Sequence, residues 1–264
     1  MRWSRLFWAI VLLGVGSLLL LNNLGILDVD FGILLAIFLI ILGIFTLLVR
    51  RQSYEGSEKN VSISRQGVKS ARLDFEHAAG QLKLSSGSDP GEIISGIARG
   101  GIILQNNYTQ DLLVARLSTT GSDFFHWALP WNWGESRTWD MRLTAEIPID
   151  LHIKSGASEH LLNFVDLQLR KLHIETGASS TEVTLPAQAG MTHVKVQSGA
   201  ASVNITVPDG VAARIETQAL AAGININPQR FPLHGDAYMT PDYADAPNKV
   251  DIRIETGAAS VIIQ

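Results

Sequence analysis

His152 and His173 occupy the same place in two copies of one phrase, LHIKSGAS at Leu151–Ser158 and LHIETGAS at Leu172–Ser179. Imidazole is the commonest metal ligand. On neighbouring β rungs, about 4.8 Å apart, two such rings would stand side by side. The next copy, VKVQSGAAS at Val194–Ser202, puts Lys195 in that place, and an ammonium group repels a cation. Aligned on the turn, one row runs Asp74, His152, His173, Lys195, Arg214 and Arg253. Its neighbour runs Glu76, Lys154, Glu175, Gln197, Glu216 and Glu255. Rows of mixed sign read as a solvated, charge-paired sheet face rather than a metal site.

Other constellations are thinner. Asp236, Asp242 and Asp245 could supply paired carboxylates, but the tract around them reads as a polar excursion. Asn106–Asn107 and Asn225–Asn227 read as turn residues. The chain has no P-loop, no HExxH and no nucleophile elbow. The expectation is a protein that is not an enzyme and uses no cofactor and no metal. A net charge of -4 and a pI near 6.0 argue against nucleic acid as a partner. Cysteine is absent, which excludes disulfides. The insert 123–140, DFFHWALPWNWGESRTWD, concentrates Phe124, Phe125, Trp127, Trp131, Trp133 and Trp139. Such density is either core filling or an exposed surface for a partner or a membrane.

The elements that hold these residues follow from the repeat. Further copies stand at Ile252–Ser260 (IRIETGAAS) and, degenerate, at Leu73–Gly80 and Ala213–Gly223. Apolar residues alternate through each, as at Leu151/Ile153, Leu172/Ile174 and Val194/Val196, which is the period of a half-buried strand. Gly156, Gly177, Gly199 and Gly257 recur at one place, where a positive φ would let the chain turn sharply. The small residues after them let neighbouring turns stack. Units that cannot bury a core alone do so by stacking. The expected fold of residues 61–264 is therefore a β-solenoid-like stack of short repeats, with an antiparallel β-sandwich as the alternative.

Residues 1–51 differ. Two apolar segments, about 6–22 and 31–49, flank a short polar stretch, and the second is long enough to span a bilayer as a helix. The expectation is a two-helix transmembrane hairpin, followed by a linker at 52–60. Arg2, Arg5, Arg50 and Arg51 lie outside the segments, which places both termini and the β domain in the cytoplasm of a two-pass membrane protein. A cleaved signal peptide over the first segment is the competing reading.

The segments RLFWAIVLLGVGSLLLLNNLGIL and GILLAIFLIILGIFTLLVRR resemble the paired transmembrane region of LiaI/LiaF-like bacterial envelope-stress proteins. SGASEHLLNFVDLQLRKLHIETGAS, VPDGVAARIET and PDYADAPNKVDIRIETGAASVII resemble the LiaF C-terminal domain and related toastrack β-repeat domains, some of them labelled adhesins. The resemblance implies a membrane-anchored regulator that acts by protein contact, restraining a sensor kinase or assembling envelope-stress components. A membrane sensor kinase or another envelope-stress protein is the implied partner; membrane lipid is expected from the apolar segments, and edge-to-edge self-association belongs to a separate structural reading. An adhesin-like surface domain and an envelope-carbohydrate-binding module are the alternatives.

Overall fold

The chain separates into two units, Met1–Ser53 and Tyr54–Gln264. The computed structural model describes residues 58–119 and 137–264, together with Ile40. In the second unit these residues form thirteen strands. Six are long, at 15–17 residues: β2 (Ser70–Ser86), β7 (Ile149–Asn163), β8 (Leu169–Thr184), β9 (Met191–Thr206), β10 (Ala212–Ile226) and β13 (Lys249–Ile263). They lie parallel in the order β2-β7-β8-β9-β13-β10.

Each repeat is one rung, bent at its middle. Before the bend of β7, Ile149, Leu151 and Ile153 are buried; after it, Ser158, His160 and Leu162 are. The inward positions change from odd to even across the corner, so both arms face one core although the strand turns. Val194 and Val196 followed by Val203 and Ile205 in β9 repeat the change. Stacking aligns the inward residues into columns. Leu73, Leu151, Leu172, Val194, Ile252 and Ile215 form one; Leu84, Leu162, Val183, Ile205, Ile263 and Ile226 form another. All belong to a single buried cluster. This is the stacked burial on which repeat proteins depend.

The irregular spacing of the repeats has a topological cause. Between β2 and β7 the chain makes β3 (Glu92–Ala98), β4 (Ile103–Thr109), β5 (Leu112–Ser118) and β6 (Thr138–Leu143). The first arm of β2 pairs with β5, which carries β4; the second arm pairs with β6, which continues through β3 to β1 (Lys59–Ser64). The two arms thus open into two separate edges at this end, and the antiparallel pairing foreseen for a sandwich is found in these pieces. At the other end, β10 lies outside β13. It is followed by β11 (Leu233–His234) and β12 (Ala237–Met239), the latter antiparallel to β10. The last strand of the chain therefore inserts between β9 and β10.

The corner glycines are needed for a reason other than a left-handed φ. None of Gly156, Gly177, Gly199 and Gly257 has a positive φ. A Cβ on Gly177 would lie 2.9 Å from the carbonyl oxygen of Gly156; on Gly199, 2.9 Å from that of Gly177; on Gly257, 2.8 Å from that of Gly199. On Gly156 it would lie 2.7 Å from the oxygen of Ala78. Close stacking of backbone on backbone requires the missing side chain. Ala78 holds the corner place in β2, where no long rung precedes it, which explains the degenerate first copy.

The expected fold class needs correction at the N-terminus. Among the described residues no helix is long and apolar enough to cross a membrane, and apart from the helical position Ile40 the regular structure is all β. An unbroken apolar run has no 3.6-residue period that identifies a helix, so length alone supports that reading. Segments 6–22 and 31–49, Ile40 excepted, lie outside the described residues. The fold class carried by the structure is the stacked β domain.

Candidate functional site

Outward residues of the first arm form a grid, with columns set by β alternation and rows set by the parallel register. One row reads Asp74, His152, His173, Lys195, Arg253 and Glu216. The next reads Glu76, Lys154, Glu175, Gln197, Glu255 and Gln218. β10 thus departs from the expected alignment. Its ARIET is shifted by two residues, so that Arg214 faces Asp251 and Glu216 faces Arg253. A two-residue slip preserves which side faces the core, so the pattern of the strand tolerates it. Arg214 gains Asp251 at 3.5 Å and also pairs with Glu216.

A third row continues the grid into the corner: Ser155, Thr176, Ser198 and Thr256. Ser155 Oγ donates to Thr176 Oγ1 at 3.1 Å, and Ser198 Oγ to Thr256 Oγ1 at 2.9 Å. Along the corner runs an open cleft of about 1020 Å³, lined by Lys154, Glu175, Gln197 and Glu255, by the hydroxyl row, and by Gly177 and Gly257. The inserted β13 completes it. Gln197 Nε2 donates to Glu255 Oε2 at 2.7 Å, and Lys195 lies 3.5 Å from the same oxygen. The Gln197 hydrogen bond, ahead of Lys195 and Arg253, holds the Glu255 carboxyl below its usual range against the opposing effect of burial.

Across the grid, the two histidine rings are stacked, with centroids 4.8 Å apart and an interplanar angle of 12°. Glu175 Oε1 reaches both, 3.3 Å from His152 Nε2 and 3.5 Å from His173 Nε2. Burial raises the Glu175 pKa, but His173 and then His152 outweigh it and leave the carboxyl lowered. The sequence reading missed this carboxylate because it belongs to the neighbouring row. Two residues beyond His173 on one strand, Glu175 shares its outward face, and a diagonal reach closes the group.

Trp139 is buried in β6, its ring 4.8 Å from that of His77 in an edge-on contact, so it fills the core rather than offering a contact surface. Phe124, Phe125, Trp127, Trp131 and Trp133 lie outside the described residues. Asp236, Asp242 and Asp245 are exposed. Asn106 and Asn107 lie in β4 and Asn225 in β10 instead of a turn, whereas Asn227 does shape a turn, its Oδ1 accepting from Gln229 N at 3.0 Å.

A second polar group is internal. His160 and Thr181 interrupt the column formed by Leu82, Val203 and Val261, with His160 Nδ1 3.0 Å from Thr181 Oγ1. Both His160 and His77 are fully buried. Burial pushes each down to about 4, helped at His77 by His160 and then Arg137, so both rings are neutral at pH 7.

Residues 52–206 match the family described as the N-terminal domain of toast_rack, DUF2154. The fold is similar to that of a "putative cell adhesion protein" from Clostridium sporogenes ATCC 15579, with a TM-score of 0.70, 16% identity, and coverage of 79% of this chain and 99% of that one. A "putative adhesin" from Bacteroides fragilis NCTC 9343 aligns over 78% of this chain and 97% of its own, at a TM-score of 0.30 and 7% identity. No curated protein matches the chain.

Proposed function

Since the chain belongs to the family of the toast-rack N-terminal domain, which its residues 52–206 match, we propose that it is a non-catalytic contact protein of adhesin type. Its outward corner face would hold another protein. The observation that carries this reading is the open cleft, where charged groups and hydroxyls recur at the rung spacing. An extended partner meets a hydroxyl at successive rungs from Ser155 to Thr256, beside a charged or amide group that changes from rung to rung. Fixed ion pairs and hydroxyl donors give register and specificity rather than large apolar burial. The likeness to a cell adhesion protein supports this adhesin-like reading over that of an envelope-stress regulator. The stress-signalling partner, a sensor kinase, is the narrower form of the same contact function.

The test is retention of chain-coated beads on an immobilised bacterial envelope fraction. The double variant Gln197→Lys/Glu255→Lys reverses the charge of the cleft floor without touching the core. Retention is expected to fall at least about tenfold, which corresponds to about 1.4 kcal/mol and is a lower bound on what juxtaposed like charges cost at a contact, and protease treatment of the envelope fraction should abolish it. Retention equal to that of the unaltered chain would remove this face from the account. Retention that survives protease but not glycosidase would assign the partner to carbohydrate.

A further inference from the structure

We propose that His152, His173 and Glu175 form a binding site for one divalent transition-metal ion of the zinc type, open to a ligand from outside the chain. The three groups offer two imidazole nitrogens and one carboxylate oxygen, all within 4.8 Å of one another. With metal–ligand bonds of about 2.0–2.1 Å, ligands of a tetrahedral ion stand about 3.3 Å apart. Glu175 Oε1 already lies 3.3 Å and 3.5 Å from the two Nε2 atoms. Rotation of the stacked rings toward each other is the remaining adjustment. Their side chains are about one-third exposed, so it meets little packing resistance: 35% for His152 and 33% for His173.

The surroundings decide which ion fits. Asp74 Oδ1 lies 3.7 Å from His152 Nδ1, the ring nitrogen not used for the metal, and would have to close to hydrogen-bond distance to orient the ring as a ligand. His173 Nε2 lies 3.0 Å from Gln197 Oε1. Coordination through that nitrogen would need the other tautomer of the neutral ring, with its proton on Nδ1, while Gln197 exchanges its contact with His173 for solvent and keeps its bond to Glu255. Lys195, the residue that argues against a cation in the sequence, leans away onto Glu255. Lys154 remains near, 3.7 Å from Glu175 Oε2. A lone carboxylate beside an ammonium group is a poor site for calcium or magnesium, which need several oxygens. Imidazole donors suit zinc, copper and nickel. Three protein ligands leave the fourth position open, as in catalytic zinc sites, available to water or to a group on a partner.

The probe is ZnCl2 titrated calorimetrically into the full chain, without a histidine tag, at pH 7.5. One saturable site per chain is expected. His152→Ala and His173→Ala should each weaken it about tenfold or more, the scale on which even supporting groups of metal sites act. His193→Ala, on the same strand face but outside the group, should leave it unchanged, and CaCl2 should give no saturable heat. Lys154→Ala should tighten binding, an effect that damage to the fold could not produce. Absence of a saturable site, or affinity unchanged in both histidine variants, would overturn the proposal.

Discussion

Acidification from pH 7 to pH 4.5 is expected to remove several kcal/mol of stability from the β domain, before the bulk of its carboxylates titrate. The cause is the internal pair His77 and His160, each held down to about 4 from an ordinary 6.5. The unfolded chain takes up a proton on each ring below pH 6.5, whereas the folded chain resists until about pH 4. Stability from the pair is therefore complete above 6.5 and declines as the pH falls through that window. The depression corresponds to about 3 kcal/mol per ring. Both together are comparable with the total of about 5–15 kcal/mol that holds a domain folded. Glu175 and Glu255, whose carboxyls are lowered, lose their contributions only below the ordinary carboxylate range, so the two effects separate on the pH axis. Urea unfolding at pH 7.5, 5.5 and 4.5 measures the slope. In His160→Leu/Thr181→Val both hydrogen-bond partners become apolar and the column of Leu82 and Val203 becomes continuous, which avoids stranding a hydroxyl. That variant should lose roughly half of the acid sensitivity. Equal urea midpoints at pH 7.5 and 4.5 in the unaltered chain would exclude the histidines as a source of acid lability.

The second large effect lies at the corner. Gly177→Ala should cost about 1–3 kcal/mol, the range for forcing atoms into a filled space, and Gly177→Val more. A new Cβ would stand 2.9 Å from the backbone oxygen of Gly156 in the rung before, between Ser155 and Ala157, which are both paired with β8. The control is Gly223→Ala in β10, where a Cβ meets nothing within 4 Å and no positive φ is required. There the change should be neutral or slightly stabilising, since alanine has less backbone freedom to lose. Thermal unfolding compares them at about 2–4 °C for each kcal/mol. A Gly177→Ala protein that melts with the unaltered chain would show that the rungs can separate at the corner.

The sequence makes the stack visible because each rung repeats the same alternation about one small-residue corner. Less visible is why the corner must be glycine. A rule based on φ and a rule based on close approach select the same residue, and the neighbouring carbonyl decides between them. Spatial order is also hidden, because IRIETGAAS at Ile252–Ser260 pairs with VKVQSGAAS and with the degenerate Ala213–Gly223 alike. Read row by row, Lys195 argues against a cation near His173. In the structure Lys195 and Arg253 both turn to Glu255, and the carboxylate that serves the histidines comes from a diagonal position. Trp139 carries no signal that distinguishes it from the other tryptophans of the insert except the alternation of TWDMRL, which makes it an inward strand residue.

The contact face, with its Gln197–Glu255 floor, exists only if β13 lies between β9 and β10. Because the chain has no cysteine, paired substitutions report that order directly. Lys195→Cys with Arg253→Cys places two thiols on directly paired residues, within the Cα separation a disulfide spans. Lys195→Cys with Arg214→Cys places them two strands apart. Mild oxidation followed by non-reducing electrophoresis and peptide mass analysis should give the bridge in the first protein and none in the second. A bridge between positions 195 and 214, with none between 195 and 253, would contradict the inserted strand and with it the face assigned to the partner.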